Sequence, residues 1–229
     1  METQEISELF PLFNTANPET LEWLVSVVDE EDYSLNTEII RENEWGKAVY
    51  FIVSGWVKVR SQYHDQELTL EILGRGDFFG EMEILDESLK SIAVISLSDV
   101  KLLTISAQRF LQMLFKDPQL HHRMLQLTVR RFRLLYRRLQ LRQQTPKIKL
   151  AKTLIKLAET YGKSTEKGIE ILYIPQQDLA DIADVTLEDL QQIIPQLQTQ
   201  GCLDIDEIHQ TLSLTNLKQI YHFSTVKHD

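Results

Sequence analysis

One long amphipathic segment, between Asp117 and Pro146, restricts the fold more than any other feature of the chain. Asp117 followed by Pro118 is typical of a helix start, because a carboxylate can accept hydrogen bonds from the free N–H groups and proline suits the first turn. Pro146 marks the other end, since proline inside a helix removes a backbone hydrogen bond. The sequence therefore predicts a helix over 118–145 that separates two domains.

Two apolar stripes run along this predicted helix. The first alternates by four and three and comprises Leu120, Met124, Leu127, Arg131, Leu134, Arg138 and Leu141. The second lies beside it and comprises Leu125, Val129, Phe132, Tyr136 and Leu139. Heptad spacing of this kind is typical of a coiled-coil seam. One stripe can face the chain's own N-terminal domain and the other a twin helix, which predicts a homodimer through 118–145 with two arginines at seam positions.

The pattern changes on either side of the helix. Residues 1–34 are expected to form a helical lead-in, and 35–105 contain short apolar runs typical of strands in a small sandwich or barrel. These runs are 48–53, 56–60, 68–73, 92–95 and 100–105. Beyond the long helix, 147–161 predicts a helix, 175–201 a helix-turn-helix, and 203–205 with 211–214 a wing. The fold class is thus α+β, with domains at 1–117, 118–145 and 146–229.

Composition excludes several classes of protein. The single cysteine, Cys202, allows no internal disulfide, and the six histidines do not have the spacing of metal ligands. No apolar run is long enough to span a bilayer, so we expect no membrane association. The single cysteine favours a reducing, cytoplasmic location. No nucleophile–base pair or phosphate-binding loop stands out, and we expect neither a catalytic site nor a cofactor.

Two stretches resemble the cyclic-nucleotide-binding β-roll of the CRP/FNR superfamily of bacterial regulators. They are 50–59 (YFIVSGWVKV) and 73–81 (LGRGDFFGE). The order of roll (a jelly-roll barrel), dimerisation helix and winged helix-turn-helix is similar to that family over nearly the whole chain. The resemblance implies a homodimer that senses a small molecule and passes the signal to a DNA-reading domain.

The sequence departs from this family in the phosphate-binding cassette. In cyclic AMP binders of the family, an Arg-Ser-Ala follows the Gly-Glu; arginine and serine hold the cyclic phosphate and glutamate the ribose. Here Glu81 is present, but alignment on Ala93 places Ser91 in the arginine position. Lys90 is close by but has no bidentate guanidinium. Cyclic AMP bound in the family manner is therefore not expected. Glu81, Lys90 and Ser91 remain candidate ligand residues, and the alternative is a structural relic in which Glu81 caps a turn.

A second departure concerns the recognition helix. Residues 185–192 (VTLEDLQQ) align with the family's Val-Thr-Arg-Glu-Thr-Val-Ser-Arg, so leucine and glutamine replace both arginines, and Pro195 is expected to interrupt the helix. The candidate DNA-contacting residues are Thr186, Leu187, Glu188, Gln191 and Gln192. Between 169 and 217 there are nine acidic residues and no lysine or arginine. Because cations supply most of the affinity for DNA, we expect weak or absent DNA binding and a protein partner, such as another transcription factor.

The missing cations are concentrated elsewhere. Residues 118–158 hold eleven lysines and arginines and no acid, in a chain with a net charge of −10. One interpretation is a solvated face, or ion pairs that balance the acidic roll. The other is an anionic ligand that relieves the repulsion between seam arginines.

Arginines one helical turn apart favour a nucleotide, because guanidinium groups fork to phosphates and stack on purines. The spacing Arg-x-x-x-Arg is similar to that of cyclic di-GMP receptors, and some family members respond to this dinucleotide. Cyclic di-GMP is therefore the leading effector hypothesis. The candidate ligand residues on the helix are Arg130, Arg131, Arg133, Tyr136, Arg137, Arg138 and Arg142.

Two other interpretations stay open. The first is a conventional DNA-binding regulator that responds to another small anion, such as 2-oxoglutarate or a cyclic mononucleotide. The second is a ligand-free interaction protein. The sequence does not decide whether a ligand would bind in the roll or at the helix.

Overall fold

The computed structural model describes residues 1–41, 47–63, 66–86 and 92–225. The chain divides into two compact units. The first contains 1–67 and 71–136, and the second contains Leu68–Leu70 and Arg137–Asp229. The predicted boundaries at 117 and 145 remain a prediction about functional domains.

The first unit is built from two antiparallel sheets and a layer of helices. Its helices are α1 (Thr3–Leu9), α2 (Pro18–Val27), α3 (Glu81–Asp86), α4 (Ala107–Lys116) and most of α5 (Pro118–Leu141). Its strands are β1 (Asp29–Tyr33), β2 (Glu38–Ile40), β3 (Ala48–Ser54), β4 (Val57–Tyr63), β5 (Gln66–Leu73), β6 (Phe78–Phe79), β7 (Ile92–Ser96) and β8 (Val100–Ser106). The sheet orders are β1-β8-β3-β6 and β2-β7-β4-β5.

Two apolar clusters hold this unit together. One lies between the sheets and includes Ile52, Val94 and Leu102, each almost fully buried. The other joins the first sheet to α1, α2, α4 and the beginning of α5, where Leu120 and Met124 are buried. The sheet containing β3 and β8 therefore has apolar contacts on both faces, which explains the nearly continuous apolar character of these two strands.

Asp117 fixes the start of the long helix, as the sequence predicts. Its carboxylate accepts hydrogen bonds from the N–H groups of Gln119 and Leu120, at 3.0 and 3.2 Å. It also accepts from the N–H of Asn17 and the hydroxyl of Thr20, at 2.8 and 2.9 Å, so one side chain ties the beginning of α2 to the beginning of α5. Burial opposes ionisation, but these donors together lower the pKa of Asp117 below its usual value.

The second unit is a winged helix-turn-helix. It contains α6 (Pro146–Tyr161), α7 (Gln176–Ala183), α8 (Leu187–Thr199) and α9 (Leu217–Thr225). Its strands β9 (Lys163–Thr165), β10 (Gly168–Leu172), β11 (Leu203–Asp206) and β12 (Thr211–Leu214) form an antiparallel sheet in the order β11-β12-β10-β9. Buried leucine and isoleucine side chains of α6, α7 and α8 form its core.

The α+β architecture of roll, long helix and winged helix-turn-helix is confirmed, while three local predictions are wrong. Residues 29–33 form the edge strand β1 and not part of a helical lead-in, because they pair with β8. The wing sheet has four strands, two more than predicted. Pro195 does not interrupt α8, which continues to Thr199. Among the described residues, no helix combines the length and apolar character that a membrane span requires.

Candidate functional site

The roll places Glu81 at the start of α3, directly after Gly80. Gly80 has a φ of +88°, and a Cβ at this position would lie 2.6 Å from the carbonyl oxygen of Ala48 in β3. Only glycine fits this close approach, so it seats the beginning of α3 against β3. The side chain of Glu81 is consequently buried, with 4% of its surface exposed.

Arg131 of α5 is the partner of Glu81. Its Nη1 donates a hydrogen bond to Glu81 Oε1 in an ion pair, and its Nη2 donates to the carbonyl oxygen of Phe78 at 2.7 Å. The guanidinium also lies over the Phe78 ring, 4.5 Å from its centroid. Burial raises the pKa of Glu81, the positive charge of Arg131 opposes this, and Glu83 and Glu71 raise it further. Glu81 is therefore engaged within the chain, by Arg131 and by a hydrogen bond with its own backbone.

Glu83, which is not among the ligand residues predicted from the sequence, is the second buried acid of α3. It is 6% exposed, and its Oε1 has no hydrogen-bond partner among the described residues. Its neighbours Met82 and Leu85, by contrast, are about half exposed at 52% and 47%. Glu81 and Glu83 therefore face inward together with Ile84, while Met82, Leu85 and Asp86 are exposed. The burial of two acids has no signature in composition, because a sequence pattern normally assigns acids to the solvent face.

The other predicted roll residues, Lys90 and Ser91, lie outside the described residues. Within the described ranges, no group of three or more His, Cys, Asp or Glu side chains is arranged to hold a metal ion.

The first stripe of α5, which contains Arg131 and Arg138, does not lie on an exposed surface as a dimer seam would. The first stripe packs on the chain's own core through Leu120, Met124 and Leu127. The seam assigned to Arg131 and Arg138 is therefore not an exposed dimer seam. A heptad period identifies two stripes but does not say which one faces the chain's own sheet.

Arg138, in the second unit, is also engaged internally. Its two terminal nitrogens donate to the carbonyl oxygens of Leu70 and Ile182, at 2.6 and 2.7 Å. Since Arg131 and Arg138 both have partners, no repulsion between seam arginines demands an anion. The predicted repulsion between these two arginines at a dimer seam is therefore wrong.

Four other predicted ligand arginines are free. Arg130, Arg133, Arg137 and Arg142 are exposed, and none of them has a hydrogen bond or ion pair from its side chain within the described part of the chain. The first three recur at spacings of three and four, which places them on one face of α5. We call Arg130, Arg133 and Arg137 the basic face.

The second stripe is exposed to solvent along its whole length. Its members are 48–58% exposed, and Leu135 beside them is 54% exposed. Phe132 and Tyr136 meet edge to face with ring centroids 4.9 Å apart. We call Leu125, Val129, Phe132, Leu135, Tyr136 and Leu139 the apolar stripe. The predicted ligand residue Tyr136 therefore belongs to this stripe, next to the basic face.

The helix-turn-helix presents a surface without cations. Thr186 caps α8, because its hydroxyl accepts from the N–H of Asp189 at 3.1 Å. Glu188, Gln191 and Gln192 are exposed on α8, and Leu187 is half-buried. The five predicted residues are thus together at one end of α8, where the exposed groups are neutral or acidic.

A nearby cation is held within the unit. Asp184 ends α7 in the left-handed conformation, with φ of 54°. The ammonium of Lys149 in α6 donates to the carbonyl oxygen and to the carboxylate of this residue, at 2.8 and 2.9 Å. This pair reduces the positive charge that α6 offers to a phosphate.

Two family models match the chain in the order of the two units. The cyclic nucleotide-binding domain model matches residues 30–117, and the Crp-like helix-turn-helix domain model matches residues 148–222. The "Cyclic AMP receptor protein" of Thermus thermophilus is 32% identical over 122 residues, which are 53% of this chain and 56% of that protein. The chain thus spans little more than half of that relative.

Solved structures show the same fold at low identity. FixK2 of Bradyrhizobium japonicum has a TM-score of 0.74 at 20% identity, covering 88% of this chain and 100% of that one. CLP of Xanthomonas campestris, described as a c-di-GMP-responsive global regulator, has a TM-score of 0.70 at 23% identity, covering 87% and 100%. With both domain models matched in sequence and the fold shared throughout, the chain belongs to the CRP/FNR superfamily of transcriptional regulators.

Proposed function

We propose that this protein is a homodimeric receptor for an anionic nucleotide, best fitted by cyclic di-GMP, and that it regulates transcription largely through a protein partner. The observation that carries the proposal is the basic face of α5. Three exposed guanidinium groups without a partner among the described residues lie on one helix face, within a chain that is acidic elsewhere.

A cyclic dinucleotide fits this face by charge and by shape. Its two phosphates can each accept a bidentate pair of hydrogen bonds from a guanidinium. Its purine bases can stack on guanidinium planes or on the ring of Tyr136, which is 55% exposed. Arg142 lies one turn further along the chain and adds positive potential. A fold of this kind serves a c-di-GMP-responsive regulator in Xanthomonas, and we extend that response to this chain.

The apolar stripe supports the homodimer. Six large apolar side chains, five of them at heptad spacing, are all exposed in one copy and form a surface that two copies can bury against each other. The homodimer is thereby assigned to the second stripe of α5, while the first stripe belongs to the core.

Removal of the basic face provides the test of the ligand. In Arg133→Ala and Arg137→Ala, we expect cyclic di-GMP affinity to fall at least about tenfold each, because charge-assisted hydrogen bonds to phosphate contribute about 1.5–3 kcal/mol. Isothermal titration calorimetry on the purified full chain measures this.

Lys156→Ala is the matched control, because Lys156 is an exposed cation of α6 outside the basic face. It should leave the affinity within about twofold. The proposal fails if the folded wild-type protein produces no heat with cyclic di-GMP at tens of micromolar ligand, or if both arginine variants bind as the wild type does.

The surface of α8 supports action through a protein. A DNA duplex binds through cations that neutralise phosphates, and this surface offers Glu188 and glutamines. We expect the pure homodimer to give no sequence-selective gel shift even at low salt.

Glu188→Lys with Gln192→Arg should raise non-specific DNA affinity at least about tenfold, since each added cation contributes to phosphate binding.

The competing function, a conventional DNA-binding regulator, has one specific observation in its favour, the match to the Crp-like helix-turn-helix model. Tight and sequence-selective shifts by the wild-type protein would establish it and exclude the need for a partner.

A further inference from the structure

The buried Oε1 of Glu83, which has no partner among the described residues, calls for a hydrogen-bond donor. A buried acceptor without a donor lowers stability, and such groups in folded proteins are usually satisfied by a bound molecule when the chain supplies nothing. Oε1 of Glu83 is buried and has no partner among the described residues. The neighbouring acid, Glu81, already has Arg131.

The local charge defines what can bind there. Glu81, Glu83 and the half-buried Glu71 of β5 lie close enough for their charges to interact, and the opposing cation is Arg131. The excess of negative charge repels a phosphate. A carboxylate is an acceptor only, so the group that binds Glu83 must present N–H or O–H donors.

The position of α3 connects this acid to the basic face. Arg131 contacts Glu81 at the beginning of α3, and Arg130 precedes Arg131 in α5. Arg130 therefore lies next to Arg131 along the chain but about 100° around the helix from the face that contacts α3, so a ligand that reaches both sets of charges must pass around α5 at this ion pair. A ligand with phosphates at one end and an N–H-rich group at the other satisfies both.

We propose that Glu83 binds the guanine base of the dinucleotide, an inference that rests on the proposed function. The Watson–Crick edge of guanine carries two adjacent donors, N1–H and the 2-amino group, which one carboxylate accepts together. Adenine places an acceptor at N1, which the carboxylate repels. Glu83 thus selects guanine over adenine. With adenine bound, the buried carboxylate would stay without hydrogen-bond donors, and this costs binding free energy. Because Oε1 is covered, entry of the base requires α3 to move outward at Gly80.

The test compares Glu83→Gln with Glu71→Gln by calorimetry with cyclic di-GMP and cyclic di-AMP. A carboxylate that lies near an anionic ligand without contacting it repels the ligand, so its loss should strengthen binding. For Glu71→Gln we therefore expect stronger or unchanged binding. For Glu83→Gln we expect cyclic di-GMP binding to weaken at least about tenfold, as for loss of a bidentate base contact. Cyclic di-AMP binding should not weaken. Equal melting temperatures show that both variants are folded.

The outcomes separate this inference from the proposed function. If Glu83→Gln binds cyclic di-GMP as tightly as wild type or more tightly, a buried water is the partner of Glu83, and the inference is overturned while the function stands. If wild type binds no cyclic di-GMP, the proposed function fails, and the inference is then tested by thermal stabilisation with guanosine. Thermal stabilisation by guanosine that Glu83→Gln abolishes supports the inference. No stabilisation by guanosine overturns it as well.

Discussion

Phe132→Glu is expected to convert the proposed homodimer into a folded monomer. Phe132 is at the middle of the apolar stripe and is 58% exposed in one copy. In a dimer through this stripe, glutamate would be buried against the same residue of its twin, and neither charge would have a partner. Burial of an unpaired charge costs several kcal/mol, so the dimer dissociation constant should rise at least about 100-fold.

Sedimentation equilibrium across a concentration series measures this change, and circular dichroism shows whether the helices remain. Gln126→Glu is the matched control, because it introduces the same charge on α5 outside the apolar stripe and should remain dimeric. If the wild type is monomeric, or Phe132→Glu still dimerises as well as Gln126→Glu, the apolar stripe is not the dimer interface.

Arg131→Met should strongly destabilise the first unit. It leaves Glu81 buried without its cation, and breaking such a pair by removal of one partner costs about 3–5 kcal/mol. It also removes the donor to the Phe78 carbonyl oxygen. Arg130→Met, one residue away, removes an exposed and free cation and should change the free energy of unfolding by less than about 0.5 kcal/mol. Urea unfolding gives both values.

The effect of Arg131→Met should depend on pH, with a sign that follows from the raised pKa of Glu81. The folded protein binds this proton more tightly than the unfolded chain, so the contribution of Glu81 to stability falls as pH rises through the folded pKa. Without Arg131 that pKa rises further. The destabilisation should therefore be largest at about pH 7.5 and smaller at about pH 5, relative to wild type at each pH.

Addition of Glu81→Gln to Arg131→Met should restore part of the lost stability, because the buried charge is then gone. An equal loss in the single and double variants, or a loss that does not change between the two pH values, would contradict the role given to this ion pair.

Much of the fold is local in the sequence, and this part was predictable. The runs that became β3 and β8 are continuous and apolar, and the turn between β3 and β4 contains Gly55, whose φ is +87°. Asp117 predicts the start of α5, because a helix cap acts through its nearest neighbours in the sequence. β1 was missed because its sequence, DEEDY, has low strand propensity and forms a strand only by pairing with β8.

The sites depended on long-range contacts, and here the sequence was insufficient. Arg131 and its partner Glu81 are fifty residues apart, and periodicity alone placed this arginine on a dimer seam. Pro195 was expected to break α8, yet the proline is exposed, where water can satisfy the carbonyl that loses its donor. Glu83 gave no signal, because its burial depends on how Gly80 seats α3.

The carboxylate of Asp117 has a mechanical consequence for α5. Because it fastens the first turn of α5 to the beginning of α2, the near end of the helix is fixed while its far end is not held by this residue. A helix of 24 residues is about 36 Å long at 1.5 Å per residue. Leu120, Met124 and Arg131 fasten the following turns of α5 to the first unit as well. A tilt of the helix therefore grows mainly beyond Arg131, over about 15 Å by that geometry.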